Sequence, residues 1–573
     1  MKNIPKTYRI NTWIKAGTLA LAFSLPFSCQ DVLQEDVISQ IGNNYLNTSK
    51  GFEDGVSAAY TSMRAWYGTE RGHSMTEFGT DIYTNGADGS WKFMNTYTTD
   101  FDSQNGFVRE IWDEFYRGIN TCNAIIDRSV NVTGINEATM KQRIAEVKFI
   151  RAHHYFLMVQ LFGPLDLRLT ETLLPTKEVA RTPVSEVYTA IIADLEAAIP
   201  DLEALKASAQ YGRVTRPAAQ HLLAKVYMTK ATSEAASSDD YAKAEPLLKS
   251  VINDYGFILL PDFAQVHQFG NERNDEIVWA IQYTRDPLTN QQTNTTANPV
   301  LNNGNNSHLY FLMEYDTQPG MRRDTQNGRP FKRFRMTPYA INTVFGDRVN
   351  DSRYKASFKD VYYSNNLGTN GGKFNTSFDP SKPSVTFALG DTAIYIPGYE
   401  MSLEERAKKP YQVLVPSRYD ERLFPALKKH LDPGRADLTQ EQGGRDFPAM
   451  RLGETYLLLA ETQLKLGKVA EATATINAVR RRAAFPGKQA EMEITEAQMT
   501  MEFLMEERAR ELIGEQFRWL DLKRWGVLVE RVKSYNAQGA PNIKDFHVLR
   551  PIPQNQIDRA EGGASAFPQN EGY

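Results

Sequence analysis

The sequence predicts a mostly α-helical protein, a superhelix of tetratricopeptide-like helix pairs with a large loop-rich insert and few short strands. Three observations carry this. Apolar residues recur at helical spacing in long segments on both sides of the chain's middle. Residues 217–255 and 449–483 look like two copies of one helix–turn–helix unit, with small residues at the crossings (Ala224, Ala244, Ala460, Ala472). In such repeats each pair buries its face only against its neighbours. Between about 270 and 440 the helical period fades, and Gly, Asn, Pro, Tyr and Arg dominate.

The first segment is a leader. Lys2, Lys6, Arg9 and Lys15 precede an apolar run, Ala16 to Phe27, too short to span a bilayer as a helix. It ends Leu25-Pro26-Phe27-Ser28-Cys29, which resembles the lipobox read by lipoprotein signal peptidase. The expectation is a signal peptide over 1–28, lipid on Cys29, a polar tether over 29–50 and a single domain over 51–573. At about 0.8 kcal/mol per buried methylene, several acyl chains anchor a protein stably where one does not. The only other cysteine, Cys122, then has no intrachain partner and reads as a small buried hydrophobe. Asp31, Glu35 and Asp36 just after Cys29 resemble the signal that sends bacterial lipoproteins to the outer face. The formal net charge is −4, and it becomes more negative once the basic leader is gone. Such a surface has no field to concentrate nucleic acid.

Gly51–Tyr67 has helical spacing through Phe52, Val56, Ala59, Tyr60 and Met63. Residues 68–106, rich in Gly, Asn, Thr, Asp and aromatics, read as loop. Phe107–Val130 and Glu137–Phe162 are strong helix patterns, the second stopped by Gly163-Pro164. Thr182-Pro183 and Thr215-Arg216-Pro217 open two more helices with proline in the first turn, and Asp240–Tyr255 follows. Glu276–Tyr283 and Thr392–Ile396 are strand-like runs within the insert. Helices return at Arg451–Leu466, Val469–Ala483 and Glu496–Ile513, with Gly467 as a tight turn. The helical repeats thus occupy about 107–260 and 445–530, and the insert is the expected ligand-binding part, because long loops carry function.

Catalysis finds no support. The densest acidic cluster is Glu506, Glu507, Glu511, Glu515 and Asp521, interleaved with Arg508, Arg510, Arg518 and Arg524. Arginines at this density hold carboxyls ionised, the opposite of what a general acid needs. His153 and His154 are adjacent, about 100° apart on a helix, and cannot share an ion through one face. HExxH, CxxC, EF-hand, GxSxG and Walker patterns are all missing. The reading is therefore a non-enzyme with no cofactor and no metal.

Binding finds two candidate segments. Sugar rings have apolar C–H faces and hydroxyl edges, so aromatic rings with nearby amides, carboxylates or Arg suit them. The first segment runs from Trp66 and Tyr67 to Tyr97 and contains Asp81, Tyr83, Trp91 and Asn95. The second, in the insert, contains Tyr283, Asn302, Asn303, Tyr310, Tyr315 and Arg322. Trp91 is the leading single candidate.

The segments EIWDEFYRGINTCN, EVKFIRAHHYFLMVQLFGPLDL, RTPVSEVYTAIIADLEAAI, GRVTRPAAQHLLAKVYM, MRLGETYLLLAETQLKLG, INAVRRRA, EERARELIGEQFRWLDLKRWG, LRPIPQNQI and PQNEGY occur in that order. Together they resemble the SusD/RagB family of outer-membrane nutrient-binding lipoproteins; Leu165 in FGPLDL is one departure. The resemblance implies four tetratricopeptide-like units and a SusC-like TonB-dependent transporter as partner. It also implies surface exposure on the outer membrane and a loop-rich half that holds glycan as a hinged lid, its sugar-binding aromatics drawn from the two loop segments. RagB-like relatives handle peptides, which leaves a peptide- or protein-binding importer component as the alternative.

Overall fold

The computed structural model describes residues 44–286, 290, 304–368, 373–374 and 385–573. Contacts divide the chain into 1–45 and a compact unit, Leu46–Tyr573, and the account below concerns the second. Cys29, Asn302 and Asn303 lie outside the described residues.

The longer helices, in chain order, are α1 (Ser49–Thr61), α2 (Gly106–Arg128), α3 (Glu137–Phe162), α4 (Val184–Ala198), α5 (Arg216–Lys230), α6 (Asp240–Asn253), α7 (Leu452–Lys465), α8 (Val469–Ala483), α9 (Met501–Leu512), α10 (Arg518–Arg524) and α11 (Leu528–Tyr535). Their starts are set by side-chain caps. Thr48, Asn105, Asn136 and Thr500 each accept a backbone N–H three residues on, at 2.9–3.2 Å. Such a cap contributes about 1 kcal/mol. Gly163 (φ 72°) ends α3, and Gly467 (φ 75°) makes the α7–α8 turn, both in the left-handed region that glycine enters without strain.

Helix α3 packs on α4, α5 on α6, and α7 on α8. Helix α6 also packs directly on α7, so the two repeat blocks stack as one although some two hundred residues separate them. Charged contacts stitch that seam: Lys225 to Glu454 at 2.7 Å and Lys468 to Glu245 at 2.7 Å. Cys122 is buried in α2, and burial pushes its thiol up to about 12.

From Asp254 to Arg451 no described helix exceeds five residues. The insert opens and closes on one antiparallel pair, Ile277–Ile281 against Phe447–Arg451. Three more strands, Val361–Tyr363, Thr392–Tyr395 and Gln412–Val413, form a small sheet over a separate core that includes Met313, Tyr315, Tyr362 and Ile394.

Two local expectations need correction. Within 68–106, Glu70–Thr76 is a short buried helix capped by Thr69, which accepts from Gly72 N–H at 3.2 Å. Helix α9 spans Met501–Leu512 rather than the expected Glu496–Ile513, and Glu515 lies beyond its end. A turn through Gly514 (φ 76°) and Gln516 (φ 64°) returns it to the buried cluster of Glu507 and Glu511.

Candidate functional site

Both segments singled out for binding are brought together, by backbone as much as by side chains. Tyr83–Asn85 pairs antiparallel with Phe334–Met336, in the register Tyr83↔Met336 to Asn85↔Phe334. Asn306 N–H donates to Gly68 O (2.8 Å), and Arg333 N–H donates to Tyr310 O (2.8 Å).

Most of the predicted ligand-binding side chains, however, are spent on this junction. Asp81 is fully buried and accepts two hydrogen bonds from Arg518 (2.7 Å each) and one from Arg531 (2.6 Å). Burial pushes its carboxyl up, and the two arginines more than offset this, leaving it below the usual range. Asn95 accepts from Gly79 N–H (3.0 Å) and Asn536 (2.8 Å) and donates to Thr84 (3.2 Å). Tyr97 donates to Gly79 O (2.7 Å), Tyr67 shares a 2.8 Å bond with His153, and Tyr283 donates to Tyr67 O. Tyr310 and Tyr315 are buried in the same way, and Tyr83 is buried too, its hydroxyl without a hydrogen-bond partner among the described residues. A buried ring with its hydroxyl satisfied by backbone pins a loop and offers no face to a polymer. Asp81, Tyr83, Asn95, Tyr97, Tyr67, Tyr283 and Tyr310 are thus reassigned from ligand contacts to the frame that holds the loops. The reading of loop aromatics as exposed failed because these loops lie beneath other parts of the chain.

Two candidates reach solvent. Arg322 is exposed on the insert. Trp91 is partly exposed, its indole stacked on Phe107 (centroids 3.7 Å apart, 24° between planes) and set edge-on to Phe93 at 5.9 Å. Its backbone is left-handed (φ 61°), as is that of Lys332 (φ 52°). For residues with a side chain such strain costs on the order of 1–3 kcal/mol, and it concentrates at functional sites. The two strained segments are bonded to each other: Gly86 N–H donates to Arg333 O (3.0 Å) and Asp88 N–H to Lys332 O (3.2 Å), while Ala87 N–H reaches Glu421 O (2.8 Å).

The rim so formed carries partly exposed Trp91, Phe93 and Phe331 with polar neighbours. Lys92 pairs with Glu421 (3.4 Å), Gln538 donates to Glu421 (3.1 Å), Lys332 pairs with Glu314 (2.7 Å), and Arg329 lies 5.1 Å over the Phe331 ring. Glu421 and Glu314 are thus each matched to a cation or an amide. Lys332, Phe331 and Glu421 were missed by sequence reading; the KRFRM run around Lys332 gave no sign of its partner loop. Six of the eight histidines are buried, and His267 and His430 are partly so; His154 shares a 2.6 Å bond with Ser62, and burial lowers it to about 3. Among the described residues no group of three or more His, Cys, Asp or Glu side chains could hold a metal ion.

The helix pairs thus carry a rim of partly exposed aromatic rings among paired charges. The SusD family model matches residues 275–573, and a model described as starch-binding and associating with the outer membrane matches residues 43–228. The chain belongs to the SusD family, whose glycan-binding proteins are non-catalytic. It is 25% identical over 577 residues to SusD-like protein P25 of Formosa agariphila, covering 96% of this chain and 97% of that one. It is 24% identical over 473 residues to the starch-binding protein SusD of Bacteroides thetaiotaomicron, covering 79% and 76%. The fold is shared with a laminarin-binding SusD-like protein (TM-score 0.64, 20% identity, 92% of this chain and 100% of that one). It is also shared with surface glycan-binding protein A from Bacteroides fluxus (TM-score 0.67, 20% identity, 92% and 99%).

Proposed function

We propose that this protein captures oligo- or polysaccharide at the cell surface, anchored in the outer membrane by lipid on Cys29, and delivers it to a SusC-like TonB-dependent transporter. The observation that carries the reading is the agreement, over 79–92% of this chain, with proteins named for starch, laminarin or surface glycan. The rim around Trp91 is where the polymer rests, with Arg322 further along the insert. The stacked Phe107 holds the indole in one plane, so little rotamer entropy is lost on binding.

Trp91→Ala should weaken glycan binding by at least about 1 kcal/mol, the scale of one aromatic contact. Titration calorimetry reads this, and an unchanged affinity removes Trp91 from the site. Cys29→Ala should shift the protein from washed membranes to the soluble fraction; retention in the membranes argues against the lipid anchor.

A further inference from the structure

A cleft of about 460 Å³ opens beside α1, away from the Trp91 rim and sharing no lining residue with it. Its walls include Tyr60, Arg64, Gln210, Tyr211, Trp279 and Gln282. A second hollow of about 260 Å³ shares Tyr211 and Trp279 with it. The larger volume falls within the roughly 300–1,000 Å³ of small-molecule sites.

The cleft is built rather than incidental. The loop carrying Gln210 and Tyr211 is clamped from two sides. Trp279 donates to Gly212 O (3.0 Å) and Gln282 to Tyr211 O (2.6 Å) from the strand side. From the helix side, Tyr60 Oη accepts Val214 N–H (2.9 Å) and donates to Glu146 (2.9 Å). Gly212 (φ 89°) is required here, because a Cβ would lie 2.4 Å from Gln282 Cδ. Arg273 stacks 3.9 Å over the Tyr211 ring and fixes its plane.

The chemistry of the walls alternates ring and amide. Tyr60 and Tyr211 are partly exposed. Gln210 accepts from Arg143 through its carbonyl (3.2 Å) and has its amide N–H groups to offer. No carboxylate lines the larger hollow, and Asp275 in the smaller one is paired with Lys206. Rings for C–H faces, the Gln210 amide for hydroxyls, and no acid–base pair describe a saccharide site.

We propose that this cleft is a second binding site for a short oligosaccharide segment of neutral or acidic sugars. This rests on the glycan reading above. Two contacts on one polymer make the second binding event intramolecular and so lengthen retention without new chemistry.

The test titrates soluble starch, laminarin and an acidic polysaccharide into the wild type, Tyr211→Ala, Ser57→Trp and Trp91→Ala. Ser57 is exposed on α1 at the cleft wall, so tryptophan there fills the space and leaves the internal bonds intact even if Tyr211→Ala loosens its loop. Both cleft variants should bind the polymer at least about fivefold more weakly, the scale of one aromatic contact. Their circular dichroism should be unchanged. Wild-type affinity in Ser57→Trp and Tyr211→Ala, with loss in Trp91→Ala alone, overturns the second site and leaves the function standing. No heat from any glycan with the wild type overturns both.

Discussion

Replacing Arg451 with alanine should lower the unfolding free energy by about 3–5 kcal/mol, the cost of leaving buried carboxylates without their cation. Arg451 is 1% exposed. It donates to Glu515 (2.7 Å), Glu511 (2.7 Å) and Glu276 (3.1 Å). These three acids come from the turn after α9, from α9 itself and from the approach to the insert's first strand. One guanidinium therefore joins the base of the insert to the helical stack. The neighbouring cations Lys429 (2.7 Å to Glu515) and Arg482 (2.5 Å to Glu276) are already committed and cannot replace it. Denaturant unfolding followed by tryptophan fluorescence measures the loss, and a loss below about 1 kcal/mol would mean the cluster relaxes or hydrates at little cost. By contrast, Lys50→Ala at the exposed Lys50–Asp54 pair should leave the midpoint where it is.

Acid should destabilise the protein from about pH 6.5 downward, well before the carboxylates titrate. Burial lowers His154, His308 and His430 to about 3 and His267 to about 4. Between these values and the ordinary 6.5 the unfolded chain binds protons that the folded one refuses. Stability is therefore full above 6.5 and is lost as pH falls, by up to about 1.4 kcal/mol per pH unit for each histidine. Below about 4.5 a second set joins. Burial pushes Glu511 up, but Arg482, Arg451 and Arg353 outweigh it and bring the carboxyl to about 2; Glu507 and Glu515 are held well below their usual range in the same way. Glu77 works against this: burial raises it to about 8, so its share of stability is present below 4.5 and lost as pH rises to 8. Burial raises Glu70, Asp113, Glu146 and Asp446 in the same sense as Glu77, but it also lowers His73, His153 and His547, so seven lowered histidines outweigh five raised carboxyls. Urea midpoints measured at constant ionic strength should fall steadily from pH 6.5 to 4, and a flat profile over that range contradicts the burial of these rings.

The helices were legible from helical apolar spacing and stop signals: α2 carries a one-sided apolar stripe, and α3, buried on nearly all sides from Ala145 on, is stopped at Gly163. The ion-paired reading of Glu507 was legible from Arg510 one turn on, but Glu511 is held by Arg353, Arg451 and Arg482 from elsewhere in the chain, which no local pattern marks. Nor was the frame of the candidate site legible. Asp81 and Arg518 are 437 residues apart, and no local pattern in either segment marks the other. The same holds for Tyr83–Asn85 and its partner strand, and for Tyr283 and Tyr67. Composition alone pointed to aromatics in loops. It could not tell a ring that tethers a loop from one that meets a ligand, a distinction set entirely by what lies across from it. Trp91 differs from these rings in being partly exposed, which only the fold reveals; its left-handed backbone does not set it apart, since the buried Tyr97 shares it (φ 53°).

Calorimetric titration of the mature protein with soluble polysaccharides, alongside peptide mixtures and with an assay for new reducing ends, tests the central claim most directly. Saturable heat with at least one glycan, no cleavage and no comparable heat with peptides is the predicted result. Silence with every glycan together with saturable binding of peptides would contradict it.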